Sequence, residues 1–597
     1  MINRHAIKHQ AISSDAYAFS KTTVHLRLRA AKGDLSAVYC LSDAPKIEAA
    51  KQTGQWHWIK KQSALVKEHS TALFDYWFLS IEPEDYKMRY GFKLIGANET
   101  LMYIERGFFP EDDPTIADDI NSYFAFPYIH PCDIVKVPEF VKTTNWYQIF
   151  PDRFYNGNRE NDPINTVAWN FTPPTNEHPY GGDLAGITAK LDYLVELGIN
   201  GIYLTPIFKA PSIHKYDTIS YYEIDPSFGS KAELKTLIEQ AHSRGIKIML
   251  DAVFNHIGSD AKEFLDVVEN GENSKYYDWF HINKLPLTTS DGDLIPENYR
   301  NFCKTMPKLN TANPEVVAYL LAIAVYWVKT FDIDAWRLDV ANEVDHVFWR
   351  KFRIAVREVK PDIYILGETW HQSNAWLQGD QFDGTMNYPL TKPILEWIAL
   401  GNINGITFQQ SFVEAILCYS ENINMGMFNL LDSHDTPRLL TLTKGNLEKT
   451  KLCYTVLYAL KGSTCIFYGS ELALSGGADP LCRGAMPWER LNKPKPLFDH
   501  LQKLLQLRKA YPMIASEGGY HFEVVQEDLV IFTRYHESMG VYYLLYTGKE
   551  EQEISLPTSL AGKDVLDIYY NSQQKLKQTL VIKPYGIYMF LGSFQIK

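Results

Sequence analysis

The 597-residue sequence contains few cysteines, and their spacing excludes two common uses of that residue. Seven cysteines are present, an odd number, and no two of them form a CxxC pair. This pattern excludes a disulfide framework and a cysteine-ligated zinc site, and it is typical of free thiols in a reducing compartment. The cysteines lie at positions 40, 132, 303, 418, 453, 465 and 482.

The sequence also lacks a continuous apolar run of about twenty residues, the length that a membrane-spanning helix needs. Its first residues, MINRHAIKHQAISSDAY, contain no uninterrupted apolar segment of the kind found in signal peptides. We therefore expect no membrane span, and we expect the protein to be cytoplasmic.

An excess of positive charge is absent as well. The net charge is -12, so no basic stripe is available to replace the counterions of a phosphate backbone, and a nucleic-acid partner is not expected. Hydrophobic residues make up 46% of the chain and charged residues 22%, which excludes a disordered or fibrous protein. A chain of this length exceeds what one core supports, so we expect two to four domains.

Residues 1–134 show the pattern of an all-β sandwich domain. Alternating apolar and polar segments occur at 23–30, 75–83 and 88–96, with turn-rich stretches between them and no long helical period. The segment 127–140 contains three prolines and reads as a linker to the next domain.

From Trp146 onward, short apolar strands alternate with helical patterns. About eight such units extend to residue 512, which predicts a central (β/α)8 TIM barrel over 135–512 in a multidomain chain. An irregular stretch after the third strand, at about 257–310, predicts an inserted loop-rich domain. Residues 513–597 alternate again and predict a C-terminal β-sandwich.

Four of the predicted barrel strands end in polar side chains, and catalytic residues of such barrels lie at those strand ends. One polar strand end is readily explained as a solvated tip, but four that carry carboxylates and two histidines indicate a site. The residues are Asp251, Asn255, His256, Arg337, Asp339, Glu368, His434 and Asp435.

The three candidate catalytic carboxylates have different surroundings. Asp339 lies two residues from Arg337, on the same strand face, and the guanidinium predicts a lowered pKa and an ionised nucleophile. A structural ion pair in a buried strand would explain the same two residues. Glu368 lies among apolar residues beside Trp370, which favours the protonated form that a general acid needs. Asp435, beside His434, suits a residue that binds the substrate more tightly in the transition state than in the ground state.

The segments DAVFNH, DAWRLDVANE, LGETWH and LLDSHD resemble the four characteristic regions of the α-amylase family of glycoside hydrolases, in the same order. GIYLTPIF (201–208) and MPKLN (306–310) resemble two further regions. MPKLN, VANEVDH and the β-rich N-terminal domain are similar to the neopullulanase, cyclomaltodextrinase and maltogenic amylase subgroup. The resemblance covers essentially the whole chain.

The resemblance implies Asp339 as nucleophile, Glu368 as acid/base and Asp435 as transition-state stabiliser. Substrate contacts are implied for Tyr216, His256, Arg337, Trp370, His434, Asp479 and Arg483. Asn342 and Glu343 either border the leaving-group side or cap the strand end. Thr369 and Gln372 depart from the residues that relatives commonly carry, which leaves acceptor-side preference open.

The segment NGNREND resembles the calcium loop of the same subgroup. The implied ligand positions are Asn156, Asn158, Asn161, Asp162, Gly181 and Asp183. Asparagine, aspartate and backbone oxygens suit calcium. Relatives often carry Asp where this chain has Asn158, and fewer carboxylates weaken a calcium site. A turn held by asparagine side chains is the alternative interpretation.

The function implied is that of a retaining α-glucan hydrolase that cleaves α-1,4 bonds of cyclodextrins, pullulan and short maltodextrins or starch, with transglycosylation as a second outcome. The alternatives are an α-1,6-glucosidase of the same family and a catalytically inactive carbohydrate-binding homologue. A homodimer is also expected, because the N-terminal domain is rich in aromatic residues that suit an interface. These residues are Trp56, Trp58, Tyr76, Trp77, Phe78 and Tyr86.

Overall fold

A computed structural model describes residues 1–43, 60–117 and 119–595 of the chain. These residues form two compact units. The first contains 1–136 together with two later segments, 403–424 and 520–533. The second contains 137–402, 425–519 and 534–597.

The N-terminal region consists of two antiparallel sheets that enclose an apolar core, as the alternating pattern predicted. Val24, Leu26 and Leu28 point inward from one sheet, and Tyr90 and Phe92 point inward from the other. The first sheet contains, in spatial order, Ala16–Ala18, Val24–Ala31, Phe74–Ile81 and Val66–Ser70. The second contains Lys61–Ala64, Ala37–Asp43, Met88–Ile95, Thr100–Ile104 and Gly107–Pro110, with Phe124–Phe126 paired to Met88–Ile95.

Four of the six aromatic residues expected at an interface lie in the described part of the chain, and they divide into two groups. Tyr76 and Trp77 are buried and Phe78 is half-buried, so these rings serve the domain itself. Tyr86 is 43% exposed. Trp56 and Trp58 lie outside the described residues.

Eight parallel strands form the barrel sheet, which confirms the predicted fold class. The strands are β1 Asn145–Ile149, β2 Gly201–Leu204, β3 Lys247–Ala252, β4 Ala335–Leu338, β5 Tyr364–Gly367, β6 Gly384–Thr385, β7 Phe428–Asn429 and β8 Ser463–Phe467. Their spatial order is β6-β5-β4-β3-β2-β1-β8-β7, and a parallel bridge between Met386 and Phe428 joins the two ends of that order. Large side chains such as Trp146, Tyr203 and Tyr364 fill the interior.

The helices between the strands begin and end at the residues that their sequences indicate. Ser230 and Glu233 form a capping box, Asn313 caps the helix that starts at Pro314, and Gly198 ends another in the left-handed region. The main helices are Leu184–Ala189, Leu191–Leu197, Lys231–Ser243, Lys262–Asn270, Pro314–Phe331, His346–Val359, Tyr388–Ile394, Gly405–Leu417, Leu447–Tyr458 and Pro496–Ala510.

One helix among the described residues, Pro314–Phe331, is long and apolar enough to cross a membrane. Its buried side chains, which include Leu320, Ile323 and Trp327, belong to the barrel unit. The Trp327 indole N–H donates to the carbonyl of Tyr221. A helix with one face buried in protein in this way is an ordinary feature of a barrel.

The stretch after β3 is loop-rich, as predicted. It contains the helix Lys262–Asn270, several single 3-10 turns and isolated bridges such as His256 with Lys308. This bridge places the insertion beside the C-terminal end of β3. After the barrel, a six-stranded antiparallel sheet lies between Gly519 and Ser593, and Gln552–Ser555 pairs separately with Thr579–Ile582.

Candidate active site

A cleft of about 400 Å³ opens at the C-terminal ends of the barrel strands. All three predicted catalytic carboxylates line it, together with five of the seven predicted substrate residues, and Arg337 and His434 lie fully buried among the residues bonded to these groups. The lining residues are Asn176, His214, Tyr216, His256, Phe302, Met306, Asp339, Val340, Asn342, Glu368, Trp370, Asp435, Asp479 and Arg483.

The Arg337 guanidinium holds the floor of the cleft together. Nη1 lies 2.7 Å from Asp339 Oδ1, and Nη2 lies 2.9 Å from Glu368 Oε2. Nη1 also donates to both oxygens of Asp251, at 2.9 and 3.0 Å. One fully buried cation therefore faces three carboxylates, from the ends of β3, β4 and β5.

Asp251 is the member of this group that was predicted only as a polar strand-end residue. It is the register partner of Arg337 between β3 and β4, so the two side chains share one position across the sheet. It also accepts from the hydroxyls of Tyr203, at 2.6 Å, and Tyr216, at 3.0 Å. Its carboxylate thus fixes both Arg337 and the position of Tyr216.

The predicted lowered pKa of Asp339 is wrong. Burial raises its pKa, Glu368 and Asp251 raise it further, and these effects outweigh the lowering by Arg337. Burial likewise raises the pKa of Asp251 to about 6 against the effect of Arg337. The sequence indicates one ion pair, between Arg337 and Asp339, whereas in the structure three carboxylates share one guanidinium.

Glu368 is held at both oxygens. Oε2 accepts from the backbone N–H of Val340 at 2.8 Å, and Oε1 accepts from the indole N–H of Trp370 at 3.1 Å. Val340, directly after Asp339, has φ 44° and ψ 42°, a left-handed conformation that β-branched residues rarely adopt. A strained residue therefore directs its N–H at the proposed acid.

His434 and Tyr216 form the side of the cleft toward Asp435. Their rings lie nearly parallel, with centroids 5.3 Å apart. Burial, with Arg483 and Arg337 nearby, lowers the pKa of His434, so its imidazole is neutral. Its Nε2 is 3.3 Å from Asp435 Oδ2.

Arg483 links Asp435 to Asp479 at the same side. Its Nη2 is 3.4 Å from Asp435 Oδ1, and its Nη1 is 2.9 Å from Asp479 Oδ1. The Arg483 Nε also donates to the carbonyl of His434 at 2.9 Å. Direct contacts therefore link four predicted site residues, His434, Asp435, Asp479 and Arg483.

Two exposed aromatic rings mark other parts of the cleft. Trp370 is 49% exposed and stacks on Tyr388, with ring centroids 3.9 Å apart. Phe302, which was not predicted, is 61% exposed and stacks on His256, with centroids 5.2 Å apart. Burial lowers the pKa of His256 to about 3, so it is neutral there. Both rings offer flat apolar surfaces of the kind that sugar rings cover.

Asn342 lines the cleft, and its side chain donates to Glu343 Oε1 at 2.9 Å. Lys308, from the MPKLN segment, donates to the Glu343 carbonyl at 2.8 Å and to the Asn255 side chain. The insertion is thereby tied to the loop after β4.

The six predicted metal-loop residues come together at the start of the barrel. Asn156 Nδ2 donates to Asp162 Oδ1 at 2.7 Å, and a Cβ at Gly181 would overlap both side chains. Asp183 accepts from the backbone N–H groups of Gly157 and Asn158, at 3.0 and 2.8 Å, and Asn161 Nδ2 lies 3.4 Å from it. Asn158 Oδ1 caps the turn by accepting from the N–H of Glu160.

Several residues of the site were not predicted from the sequence. Gln148 and Tyr203 are polar side chains within otherwise apolar strands, and that exception was the signal that could have found them. Phe302 and Asn176 lie on loops whose course no periodicity predicts. His214, two residues before the predicted Tyr216, was not predicted to line the cleft.

Residues 148–490 match the family described as "Alpha amylase, catalytic domain", and residues 1–130 match "Alpha amylase, N-terminal ig-like domain". The chain is 43% identical to a cyclomaltodextrinase from Geobacillus thermopakistaniensis strain MAS1, over 99% of both chains. It is 43% identical to an intracellular maltogenic amylase from Bacillus subtilis strain 168, over 92% of both. A solved cyclomaltodextrinase structure matches with a TM-score of 0.91 and 39% identity, and all of both chains is covered. The chain therefore belongs to the α-amylase family and is a glycoside hydrolase.

Proposed function

We propose that this hydrolase cleaves α-1,4 bonds of cyclodextrins, pullulan and short maltodextrins with retention of configuration, and that it also transfers glycosyl groups to sugar acceptors. The observation that carries the proposal is the arrangement on Arg337, whose two terminal nitrogens hold Asp339 and Glu368 side by side under the cleft. A nucleophile and an acid that lie close together are the signature of retaining glycosidases.

In the proposed first step, Glu368 protonates the glycosidic oxygen while Asp339 attacks the anomeric carbon. Because Arg337 bonds Asp339 Oδ1, Oδ2 is the oxygen left for attack. In the second step, Glu368 takes a proton from water, or from a sugar hydroxyl, which displaces Asp339 from the anomeric carbon. Asp435 and the neutral His434 contact the ring hydroxyls as positive charge develops.

The substrate is proposed to extend to both sides of these residues. Asp479 and Arg483 provide charged hydrogen-bonding groups on the Asp435 side, and Trp370 provides a stacking surface beside the acid. No observation in the described residues favours an α-1,6-glucosidase. The presence of all three carboxylates in one cleft argues against an inactive homologue.

The experiment compares Glu368→Gln with the wild-type enzyme on β-cyclodextrin and on an activated glycosyl fluoride. Fluoride departs with little protonation, so we expect severe loss on the glucan and a smaller loss on the fluoride. Equal losses on both substrates would contradict the acid assignment. Initial rates on β-cyclodextrin and soluble starch then give the substrate preference.

We also propose that the loop at 156–162 binds a structural calcium ion. Asn156 Oδ1 and Asn161 Oδ1 are buried and have no hydrogen-bond partner among the residues described, and Asp162 lies beside them. No three His, Cys, Asp or Glu side chains in the described ranges could share a metal, so amide oxygens are needed, which calcium accepts. Bound calcium would neutralise Asp162 and tie the loop together.

The calcium proposal predicts that a chelator lowers the melting temperature of the wild-type enzyme, because an ion bound only by the folded state stabilises it. Asp162→Ala should melt lower and respond no further to the chelator. An unchanged melting temperature in the wild-type enzyme leaves the asparagine-held turn as the explanation.

We propose further that the enzyme is a cytoplasmic homodimer. Exposed apolar side chains on the N-terminal region, including Val66, Leu73, Tyr86 and Tyr128, support an interface there. A relative described as intracellular supports the location. Sedimentation of the full-length protein tests the dimer, and Tyr86→Ser with Tyr128→Ser should weaken it.

A further inference from the structure

A continuous line of hydrogen bonds crosses the floor of the cleft from β1 to β4. Gln148 Nε2 lies 2.7 Å from His434 Nδ1, and His434 Nε2 is hydrogen-bonded to the Tyr216 hydroxyl. That hydroxyl donates to Asp251 Oδ2 at 3.0 Å, and Asp251 is bonded to Arg337. Apart from Tyr216, which lines the cleft, the members of this line are buried.

The direction of each hydrogen bond follows from the Asp251 end. Asp251 Oδ2 lies 3.0 Å from Arg337 Nη1 and also accepts from the Tyr203 hydroxyl, so this carboxylate is an acceptor and the Tyr216 hydroxyl donates to it. The Tyr216 oxygen therefore accepts from His434 Nε2. A neutral imidazole with its proton on Nε2 has a lone pair on Nδ1, and this lone pair must accept from Gln148.

The surroundings of His434 keep it neutral, and Gln148 supplies the donor that its Nδ1 lone pair requires in the Nε2–H tautomer. Arg337 and Arg483 repel a second proton, while Asp435 Oδ2, 3.3 Å from Nε2, can only accept when ionised. The thiol of Cys482 and the Arg483 Nε are bonded to the His434 carbonyl, not to its ring. Gln148 is therefore the side chain bonded to Nδ1.

We propose that Gln148 is a positioning residue, which fixes His434 as the Nε2–H tautomer and so directs that N–H toward Tyr216, Asp435 and the substrate. With the other tautomer, the Nε2 lone pair would face the oxygens of Tyr216 and Asp435, and those contacts would become repulsive. Gln148 is the register partner of Tyr203, which bonds Asp251 directly. Neighbouring strands thus support the same carboxylate by two routes.

The inference rests on the proposed catalytic role of the cleft for its activity readout, but the tautomer can be measured independently. In ¹⁵N spectra of the histidine-labelled full-length enzyme, we expect His434 to appear as a neutral imidazole protonated at Nε2. The signal is identified by its loss in His434→Asn. An Nδ1–H or imidazolium signal for His434 at neutral pH would overturn the proposal, whatever the activity.

The activity test uses two near-isosteric variants with opposite consequences. Gln148→Met removes the donor, and we expect kcat to fall about 10- to 100-fold with little change in KM, the range known for loss of the hydrogen-bond partner that orients a metal-bound histidine. In Gln148→Glu, the new carboxyl donates to Nδ1 when it is protonated and accepts when it is ionised. Its activity should exceed that of Gln148→Met on the acid side.

The matched control is Gln381→Met. Gln381 is also buried and bonded to a histidine, since its Oε1 lies 2.8 Å from His346 Nδ1, but it does not line the cleft. We expect this variant to lose stability and to retain kcat. Two outcomes would show that Gln148 contributes only packing. One is an equal loss of kcat in Gln148→Met and Gln148→Glu at every pH, and the other is wild-type activity of Gln148→Met.

Discussion

The two ends of strand β4 carry opposite charge balances. At the N-terminal end, the single carboxylate of Asp334 accepts from Lys247 and Lys360, each at 3.0 Å, from His242 at 2.7 Å, and from the Ile248 N–H at 2.9 Å. At the C-terminal end, the single guanidinium of Arg337 faces three carboxylates. The four residues of β4 therefore lie between one end where donors outnumber carboxylates and another end where carboxylates outnumber cations.

This difference separates stability from function within one element. Although burial opposes it, the hydrogen bonds from His242 and Ile248 and the charge of Lys360 lower the pKa of Asp334, so its ionisation stabilises the fold. Burial raises the pKa of Asp339, so ionisation of that residue costs folding free energy. In such barrels the catalytic residues lie at the C-terminal ends of the strands, and residues at the N-terminal ends contribute to stability. The charges at the two ends of β4 follow this rule.

The largest expected effect is on activity at the anion-rich end. Asp339→Asn should lower kcat by at least about 10⁴-fold, because an amide cannot form the covalent glycosyl intermediate. Its melting temperature should stay the same or rise, since one of three clustered carboxylates is gone. Substantial turnover by a folded variant, shown by mass spectrometry to be free of deamidation, would remove Asp339 from its role.

The next effect is on stability at the donor-rich end. Asp334→Asn leaves the Lys247 and Lys360 ammonium groups facing a neutral amide and should cost about 3 kcal/mol. A melting temperature lower by about 5 °C is expected for a domain of this size. The activity of the folded variant should match that of the wild-type enzyme. Loss of kcat without loss of stability would contradict the separation of roles along β4.

The smallest effect is a difference in pH dependence. The folded pKa of Asp251, about 6, exceeds the unfolded value of about 3.9, so the folded state takes up this proton first as pH falls. Acidification from about pH 7 to 5 should therefore stabilise the wild-type enzyme by about 1 kcal/mol relative to Asp251→Asn.

Asp334 has the opposite sign. Its lowered pKa gives a contribution that is present above about pH 4 and is lost as pH falls further toward the folded pKa. Melting curves of the wild-type enzyme, Asp251→Asn and Asp334→Asn across this range measure both differences. Parallel curves for all three proteins would contradict the contrast between the two ends.

The sequence predicted the elements and the strand-end chemistry well, because both depend on local patterns. The alternation that places Arg337 and Asp339 on one face is confirmed by their 2.7 Å contact. The capping box at Ser230 and the helix start at Pro314 also follow from local sequence. The β/α order then sufficed to bring residues 251, 339, 368 and 435 to one end of the barrel.

What could not be predicted depends on register and on tertiary neighbours. That Asp251 is the cross-strand partner of Arg337 is a property of how β3 and β4 align, and it reversed the expected pKa shift of Asp339. The grouping of 403–424 and 520–533 with the N-terminal unit has no signature in either segment alone. The domain limits at 134 and 512 and the role of the metal loop stay predictions.

The left-handed conformation of Val340 connects the proposed nucleophile and the proposed acid through the main chain. Its N–H donates to Glu368 Oε2, and the N–H of Ala341 donates to the Glu368 carbonyl at 3.2 Å. A β-branched residue in this conformation costs about 1–3 kcal/mol, which the surrounding contacts must offset. The spacing of Asp339 and Glu368 is therefore set by main-chain links as well as by side-chain packing. Loosening the turn at 340 would change the distance between the two carboxylates while leaving every reacting group in place.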